Sequence, residues 1–194
     1  MKGLTIVGLG GSLSARSASL AALDQCLDAA SSLGASVERY AVRDLGLPLY
    51  DAAISPPLAA RRLATAVGRA DGLIWSSPMY HGTVSGSFKN ALDWLQLLAD
   101  HDPPFLSNKP VGLISTAAGT QGLQAINTLD FVVRALRGWV VPLVVPIPQA
   151  WRALDSSGRL LGDVRMQLDA LAREVVTSSA RLGDPVARTA ATSA

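Results

Sequence analysis

The sequence predicts a three-layer α/β sandwich, a five-stranded parallel sheet of order 2-1-3-4-5 with helices on both faces. Two observations carry this prediction. Short β-branched and apolar runs alternate along the chain with segments of helical periodicity. Those runs are apolar throughout, as strands covered on both faces are. A third observation locates a function: Gly, Ser, Thr and aromatic residues gather in the segments that follow the first, third and fourth strands. In a sheet of this order ligands sit outside the carboxyl ends of the strands, at the switch between the first and third.

The first strand, Leu4 to Val7, runs into Gly8-Leu9-Gly10-Gly11-Ser12-Leu13-Ser14-Ala15-Arg16-Ser17-Ala18-Ser19 and then a helix. Unpaired N–H groups and the positive end of a helix dipole make such a turn an anion site. Ser12, Ser14, Ser17 and Ser19 add hydroxyls, and Arg16 adds a full charge. A plainer reading has Ser17 or Ser19 capping the helix and the glycines making a tight turn. The dinucleotide fingerprint fails, because its third glycine falls on Leu13, and no Gly-Lys-Ser/Thr is present. The loop therefore reads as a hydroxyl-rich cradle for a terminal phosphate monoester.

The helix over 17–32 carries Leu20, Leu23, Leu27 and Ala30 on one stripe and ends before Gly34. Val37 to Val42 alternates like a strand with one covered face. The turn-rich Asp44 to Asp51 precedes a helix from Pro57 to Ala70. Leu73 to Ser76 is a short strand entering Ser77-Pro78-Met79-Tyr80-His81-Gly82. In that second loop backbone groups can read the polar edge of a flat ring while Met79 and Tyr80 pack on its face or rim. More plainly, Pro78 shapes a turn and His81 is a solvated histidine. A helix over 85–100 stops at Asp102-Pro103-Pro104. Val111 to Thr116 is a strand ending in Ala117-Ala118-Gly119-Thr120-Gln121-Gly122, followed by a helix over 123–136 and a strand from Trp139 to Val145. A loop through Trp151 to Gly158 leads to a last helix over 162–182. Residues 1–183 form one domain on this reading, and 184–194, small and polar, a loose tail.

The 194 residues are 49% hydrophobic and 16% charged, which describes a packed domain. A net charge of +2 and the absence of any basic run argue against nucleic acid. The one cysteine, Cys26, excludes a disulfide or metal framework and reads as a packed thiol. The amino terminus is not a signal peptide, and Trp139 to Ile147, broken by Pro142 and Pro146, is too short to cross a bilayer. A soluble cytoplasmic protein is expected. No Gly-x-Ser-x-Gly elbow or carboxylate pair occurs, and two histidines cannot build a metal site.

Ser77-Pro78-Met79-Tyr80-His81-Gly82 followed by Gly86-Ser87-Phe88-Lys89-Asn90-Ala91-Leu92-Asp93-Trp94-Leu95 resembles the S-P-x-Y-x-G/S … G-x-x-K-N-A-x-D-W-L signature of the NADPH-dependent FMN reductase family. The first loop is similar to that family's G-S-x-R-x-x-S, with Ser12, Ser17 and Ser19 in place. Ser14 stands where the arginine is usual, and Arg16 lies two residues later. Leu47-Pro48-Leu49-Tyr50-Asp51 also resembles a family segment, and Ser115-Thr116-Ala117-Ala118-Gly119 departs from its S-x-G-G. The resemblance spans residues 4–145. It implies a flavodoxin-like fold with FMN held by its phosphate at Ser12, Ser14, Arg16, Ser17 and Ser19. The isoalloxazine would lie between Pro78, Met79, Tyr80, His81 and Gly82 on one side and Thr116, Ala118 and Gly119 on the other. It also implies NADPH or NADH passing a hydride to the flavin, which hands it to a flavin, quinone or similar acceptor. The protein need supply no catalytic acid or base, because the cofactors carry the chemistry. A flavodoxin-like electron carrier, or a module that binds FMN without turnover, is the alternative.

The helix over 85–100 has a narrow polar stripe of Lys89, Asp93, Gln96 and Asp100. Its apolar face, including Trp94, Leu97 and Leu98, exceeds what a sheet requires. The helix over 123–136 adds Phe131, Val132 and Ala135 to its inner stripe. Both are expected to bury a second face against another copy, in a homodimer or homotetramer. The alternative cover is the Pro-rich loops.

Overall fold

The computed structural model describes residues 3–183, so the expected tail from Asp184 lies outside the described residues. Six strands form one sheet: β1 (Thr5–Gly10), β2 (Ser36–Ala41), β3 (Gly72–Tyr80), β4 (Thr83–Val84), β5 (Pro110–Thr116) and β6 (Trp139–Ile147). The main helices are α1 (Ala18–Ser32), α2 (Val42–Leu45), α3 (Leu58–Arg69), α4 (Gly86–Asp93), α5 (Leu123–Ala135) and α6 (Gly162–Gly183). The order is β2-β1-β3-β5-β6, with β4 paired antiparallel to β3. The five parallel strands thus follow the predicted 2-1-3-4-5 pattern, and the sixth strand is a hairpin arm added to the third.

Side chains alternate across each strand, and this divides the core in two. Ile6, Ile74, Ile114 and Val145 meet Leu23, Leu27, Leu168 and Leu171 beneath α1 and α6. Val7, Leu73, Trp75 and Leu113 meet Leu63, Val67, Phe88 and Leu129 beneath α3, α4 and α5. Each fully buried large aliphatic contributes about 1.5–3 kcal/mol. Trp75 lies edge-to-face with Phe88, ring centroids 6.1 Å apart. Its buried indole N–H has no acceptor among the described residues. Cys26 is fully buried on α1 and donates its thiol to the Leu168 carbonyl of α6 at 3.4 Å. Burial pushes that thiol's pKa up, and the negative charge of Asp169 pushes it further. The packed thiol read from the sequence is what the structure contains.

Three elements differ from the sequence reading. β3 does not stop at Ser76 but continues through Pro78 to Tyr80. The Ser76 carbonyl accepts from Gly11 N, so Ser76 faces β1, and strand alternation turns Pro78 the same way. β1 has ended at Gly10 by then, so the missing N–H of proline breaks no ladder bond. The helix over 85–100 is instead α4 followed by a 3₁₀ turn, Trp94–Leu98. Residues three apart eclipse in a 3₁₀ helix, and Leu95 and Leu98 are both buried. β6 extends to Ile147 past both of its prolines. Gly112 faces three residues of β6, Val141, Pro142 and Leu143, so Pro142 sits in a bulge. Ile147 gives its carbonyl to Ala117 N, which leaves the missing donor of Pro146 on the open side.

Candidate functional site

Pairing of Gly10 with Ser76 and of Pro78 with Thr116 brings the three expected loops to one rim of the sheet. Loop one begins at Gly11, which is pinned from three directions. Its N–H donates to Ser76 O at 2.8 Å, and its carbonyl accepts from Ser85 Oγ at 2.6 Å and Ser87 Oγ at 3.1 Å. A Cβ on Gly11 would lie 2.7 Å from the buried Phe88 side chain, so only glycine permits this approach. Ser12 is buried and its Oγ accepts from Ser14 N at 3.1 Å, while Ser14 Oγ donates to Arg16 O at 2.8 Å. Ser17 is the N-cap of α1, in extended backbone, with Oγ accepting from Leu20 N at 3.4 Å.

Not every predicted contact residue reaches the surface of this loop. Ser19 is fully buried, shares a hydrogen bond with Ser17 Oγ at 2.9 Å and gives its carbonyl to Ser76 Oγ. It braces the loop from below, because its position in the first turn of α1 faces the sheet. Ser14 and Arg16 are exposed and Ser17 half-buried. The Arg16 guanidinium has no hydrogen bond or ion pair with the described residues. An anion placed at the start of α1 would therefore meet a free cation, nearby hydroxyls and amides that lack intrahelical acceptors.

Loop two is a two-residue hairpin. Met79 pairs with Val84 and Tyr80 with Thr83, leaving His81 (φ 49°) and Gly82 (φ 83°) to turn the chain. Two consecutive positive φ values are the geometry of a tight hairpin that matches strand twist. Pro78 is buried, and Met79 packs against the α3–α5 core rather than standing on the rim. Tyr80, 56% exposed, and His81 remain outward. Thr83 Oγ1 and Thr128 Oγ1, 3.2 Å apart, tie the hairpin to α5.

In loop three Thr116 is nearly buried at the strand end, whereas Ala118 and Gly119 are exposed. Ser115 Oγ donates to Gly122 O at 2.6 Å and closes the loop. Three backbone bonds join it to the end of β6: Ala117 N to Ile147 O, Gln149 N to Gly119 O and Ala150 N to Ala117 O. Gln149 (φ 45°) accepts from Arg152 Nη1 at 3.0 Å, and that guanidinium lies 4.6 Å over the exposed Trp151 ring. The sequence reading left 149–152 outside the site. An isolated Trp-Arg pair just after a strand that ends at the ligand rim was the available signal.

The Asn and Trp of the helix motif do not reach this rim. Asn90 Oδ1 accepts from Tyr50 N at 2.7 Å and Asn90 Nδ2 donates to Pro48 O at 2.8 Å. Trp94 Nε1 donates to the same carbonyl at 3.1 Å, and its ring meets Tyr50 edge-on at 5.1 Å. The motif is a clamp on the 48–50 segment. That segment covers Trp94, and α3 reaches Leu98, so the face of 85–100 expected to meet another copy is closed within the chain for these two residues. On α5 the corresponding expectation keeps its basis, with Leu123 and Phe131 exposed.

The rim carries hydroxyls, a guanidinium and a helix start at one end and, on loops two and three, the exposed residues Tyr80, His81, Ala118 and Gly119. Among the described residues no cluster of His, Cys, Asp or Glu could hold a metal, and no helix is long and apolar enough to cross a membrane. Residues 4–152 match the family model described as NADPH-dependent FMN reductase. An NAD(P)H-dependent FMN reductase of Pseudomonas aeruginosa is 32% identical over 184 residues, covering 87% of this chain and 93% of that protein. The NADPH-dependent FMN reductase ArsH of Acidithiobacillus ferrooxidans is 31% identical over 115 residues, 59% of this chain and 48% of its own. The chain spans about half the length of that relative and of the FMN-dependent NADPH-azoreductases of Staphylococcus haemolyticus and Staphylococcus aureus, 51% of each azoreductase. The apo form of an NADH:FMN oxidoreductase superposes with a TM-score of 0.72 at 22% identity, covering 90% of this chain and 89% of that one. A flavodoxin from Streptococcus pneumoniae superposes at 0.60, in agreement with the fold.

Proposed function

The chain belongs to the NADPH-dependent FMN reductase family, and from that premise we propose that it is an FMN-dependent NAD(P)H oxidoreductase. The observation that carries the reading is Arg16, without a partner among the described residues, beside the start of α1, at the head of a rim whose other two loops leave Ala118, Gly119 and Tyr80 exposed. These residues fit FMN. Of the expected Ser12, Ser14, Arg16, Ser17 and Ser19, the residues that reach the surface and would hold the phosphate with the first amides of α1 are Ser14, Arg16 and Ser17, Ser12 and Ser19 being buried. Gly82, His81 and Tyr80 would line one side of the ring, and Thr116, Ala118 and Gly119 the other. When bound, FMN supplies the capacity to accept a hydride and pass the electrons on.

The chain's own contribution is position. Gly11 is held by three hydrogen bonds, which tie the start of loop one to β3 and α4. Loop three is locked to the end of β6 in the same manner. Rigid flanks hold donor and acceptor in register, which is where an oxidoreductase without its own acid or base gains its rate. The protein works in the cytoplasm, and copies associate through the exposed face of α5 around Phe131. An anaerobic visible spectrum tests the reading. A flavin band bleached by NADPH or NADH is expected; a band reduced only by dithionite indicates an electron carrier, and a protein unable to take up FMN refutes the site.

A further inference from the structure

The Gly11 carbonyl is held more firmly than packing requires, and from one direction. Loop one leaves the sheet between two layers: α4 packs on one face of the sheet and α1 on the other. An anion at the start of α1 is favoured by loop amides turned toward α1 and disfavoured by carbonyl oxygens facing it. Two hydroxyls of the α4 start settle this for Gly11. Ser85 Oγ donates to Gly11 O at 2.6 Å and Ser87 Oγ donates to it at 3.1 Å.

Ser85 is buried and is itself fixed twice. Its N–H donates to Ser77 Oγ on β3 at 3.2 Å, and its Oγ caps α4 by accepting from Phe88 N at 3.2 Å. A cap needs only the oxygen. The hydroxyl proton is therefore available for Gly11, and the bond it makes is the shorter of the two. Among the described residues the one cis peptide is Asp102-Pro103, so the Gly11–Ser12 peptide is trans, and its C=O and N–H point opposite ways. A carbonyl drawn toward α4 thus turns the Ser12 N–H toward the α1 side. That N–H has no acceptor among the described residues, although Ser12 is only 3% exposed. A buried amide without an acceptor is costly unless a ligand takes it. The nearby Ser14 N–H, by contrast, is satisfied by Ser12 Oγ at 3.1 Å.

We propose that Ser85, seconded by Ser87, is a positioning residue for FMN: it locks the Gly11–Ser12 peptide so that the Ser12 N–H donates to the phosphate. The inference rests on the oxidoreductase reading, which puts that phosphate at the start of α1. It adds to Ser14, Arg16 and Ser17 a backbone donor whose direction is set from α4, on the far face of the sheet. The Ser12 side chain stays buried beneath the loop and takes no part; its amide does.

Titration of the full chain with FMN and with riboflavin, which lacks the phosphate, tests this without turnover. The ratio of the two dissociation constants reads the phosphate seat alone. Ser85→Ala is expected to lower the preference for FMN over riboflavin about tenfold and Ser87→Ala about threefold, with riboflavin affinity unchanged. A role in capping alone would lower the melting temperature of Ser85→Ala and leave that ratio intact. Ser87→Ala spares the cap, so it judges the proposal even where Ser85→Ala does not fold. In amide NMR spectra the Ser12 signal should move further with FMN than with riboflavin. An unchanged preference in the variants, or a Ser12 amide that answers both flavins alike, overturns the proposal and leaves the oxidoreductase reading standing. A wild type that takes up neither flavin, or holds both equally, overturns the phosphate seat of that reading and the proposal with it.

Discussion

Asn90 and Trp94 both donate to the Pro48 carbonyl, and this shared acceptor predicts a particular departure from additivity. Asn90→Ala removes the part-buried bond from Tyr50 N at 2.7 Å and the more exposed bond to Pro48 O at 2.8 Å. Net values of about 1 and about 0.5 kcal/mol give a loss of roughly 1.5 kcal/mol, or a Tm lower by about 3–6 °C in a domain of this size. Trp94→Phe keeps most of the ring against Tyr50 and removes the 3.1 Å bond, for about 1 kcal/mol. After either change alone, Pro48 O retains one donor. After both it has none, so the double variant should lose a further 0.5–1 kcal/mol or so beyond the sum. Urea unfolding followed by far-UV circular dichroism measures all four corners of the cycle. Strict additivity, or an Asn90→Ala protein within about 0.3 kcal/mol of wild type, would refute the clamp.

Other expectations come from single residues. Arg16→Ala should weaken FMN binding by about 1.5–3 kcal/mol, read from flavin fluorescence quenching; unchanged affinity would mean that hydroxyls and helix terminus suffice. Gly11→Ala should cost about 1–3 kcal/mol, because the new methyl meets Phe88 at 2.7 Å and that ring has nowhere to go. A melting temperature equal to wild type would show that Phe88 yields. Gly82→Ala places a side chain at φ 83° and should cost about 1–2 kcal/mol while disturbing Tyr80 emission. For Cys26 the folded thiol titrates above its unfolded value of 9.0. The folded state therefore holds its proton when the unfolded chain releases it. Stability is complete below pH 9 and falls above it by about 1.4 kcal/mol per unit from this group. Cys26→Ala, although less stable at neutral pH, should lack that slope in urea midpoints taken between pH 8 and 10.

The order of strands and helices was legible because apolar runs and helical stripes are local properties. So was the cap at Ser17, where a hydroxyl precedes the stripe of Leu20 and Leu23. What escaped depends on partners far along the chain. Pro78 looks like the end of a strand until β1 is seen to have stopped two positions earlier. Trp94 and Leu98 look like a second apolar face until Pro48, Tyr50 and α3 are found against them. Ser19 counts among loop hydroxyls in the sequence, yet its place in the first turn of α1 turns it toward Ser76. Arg16 was identified as the charge near the anion seat, but its lack of a partner among the described residues is a fact of three dimensions. The Gln149–Arg152 corner was missed because its attachment to loop three is made by backbone atoms, leaving the Trp151-Arg152 pair as its one signal in residue types.

The prolines of β6 have a consequence for how copies of this protein can meet. One lies in a bulge and the other turns its missing donor to the open side, so this margin offers an incoming strand an incomplete ladder. Joining two sheets into one continuous ribbon is blocked at that border. Any contact between copies along this border would have to be made by side chains and not by a continued backbone ladder.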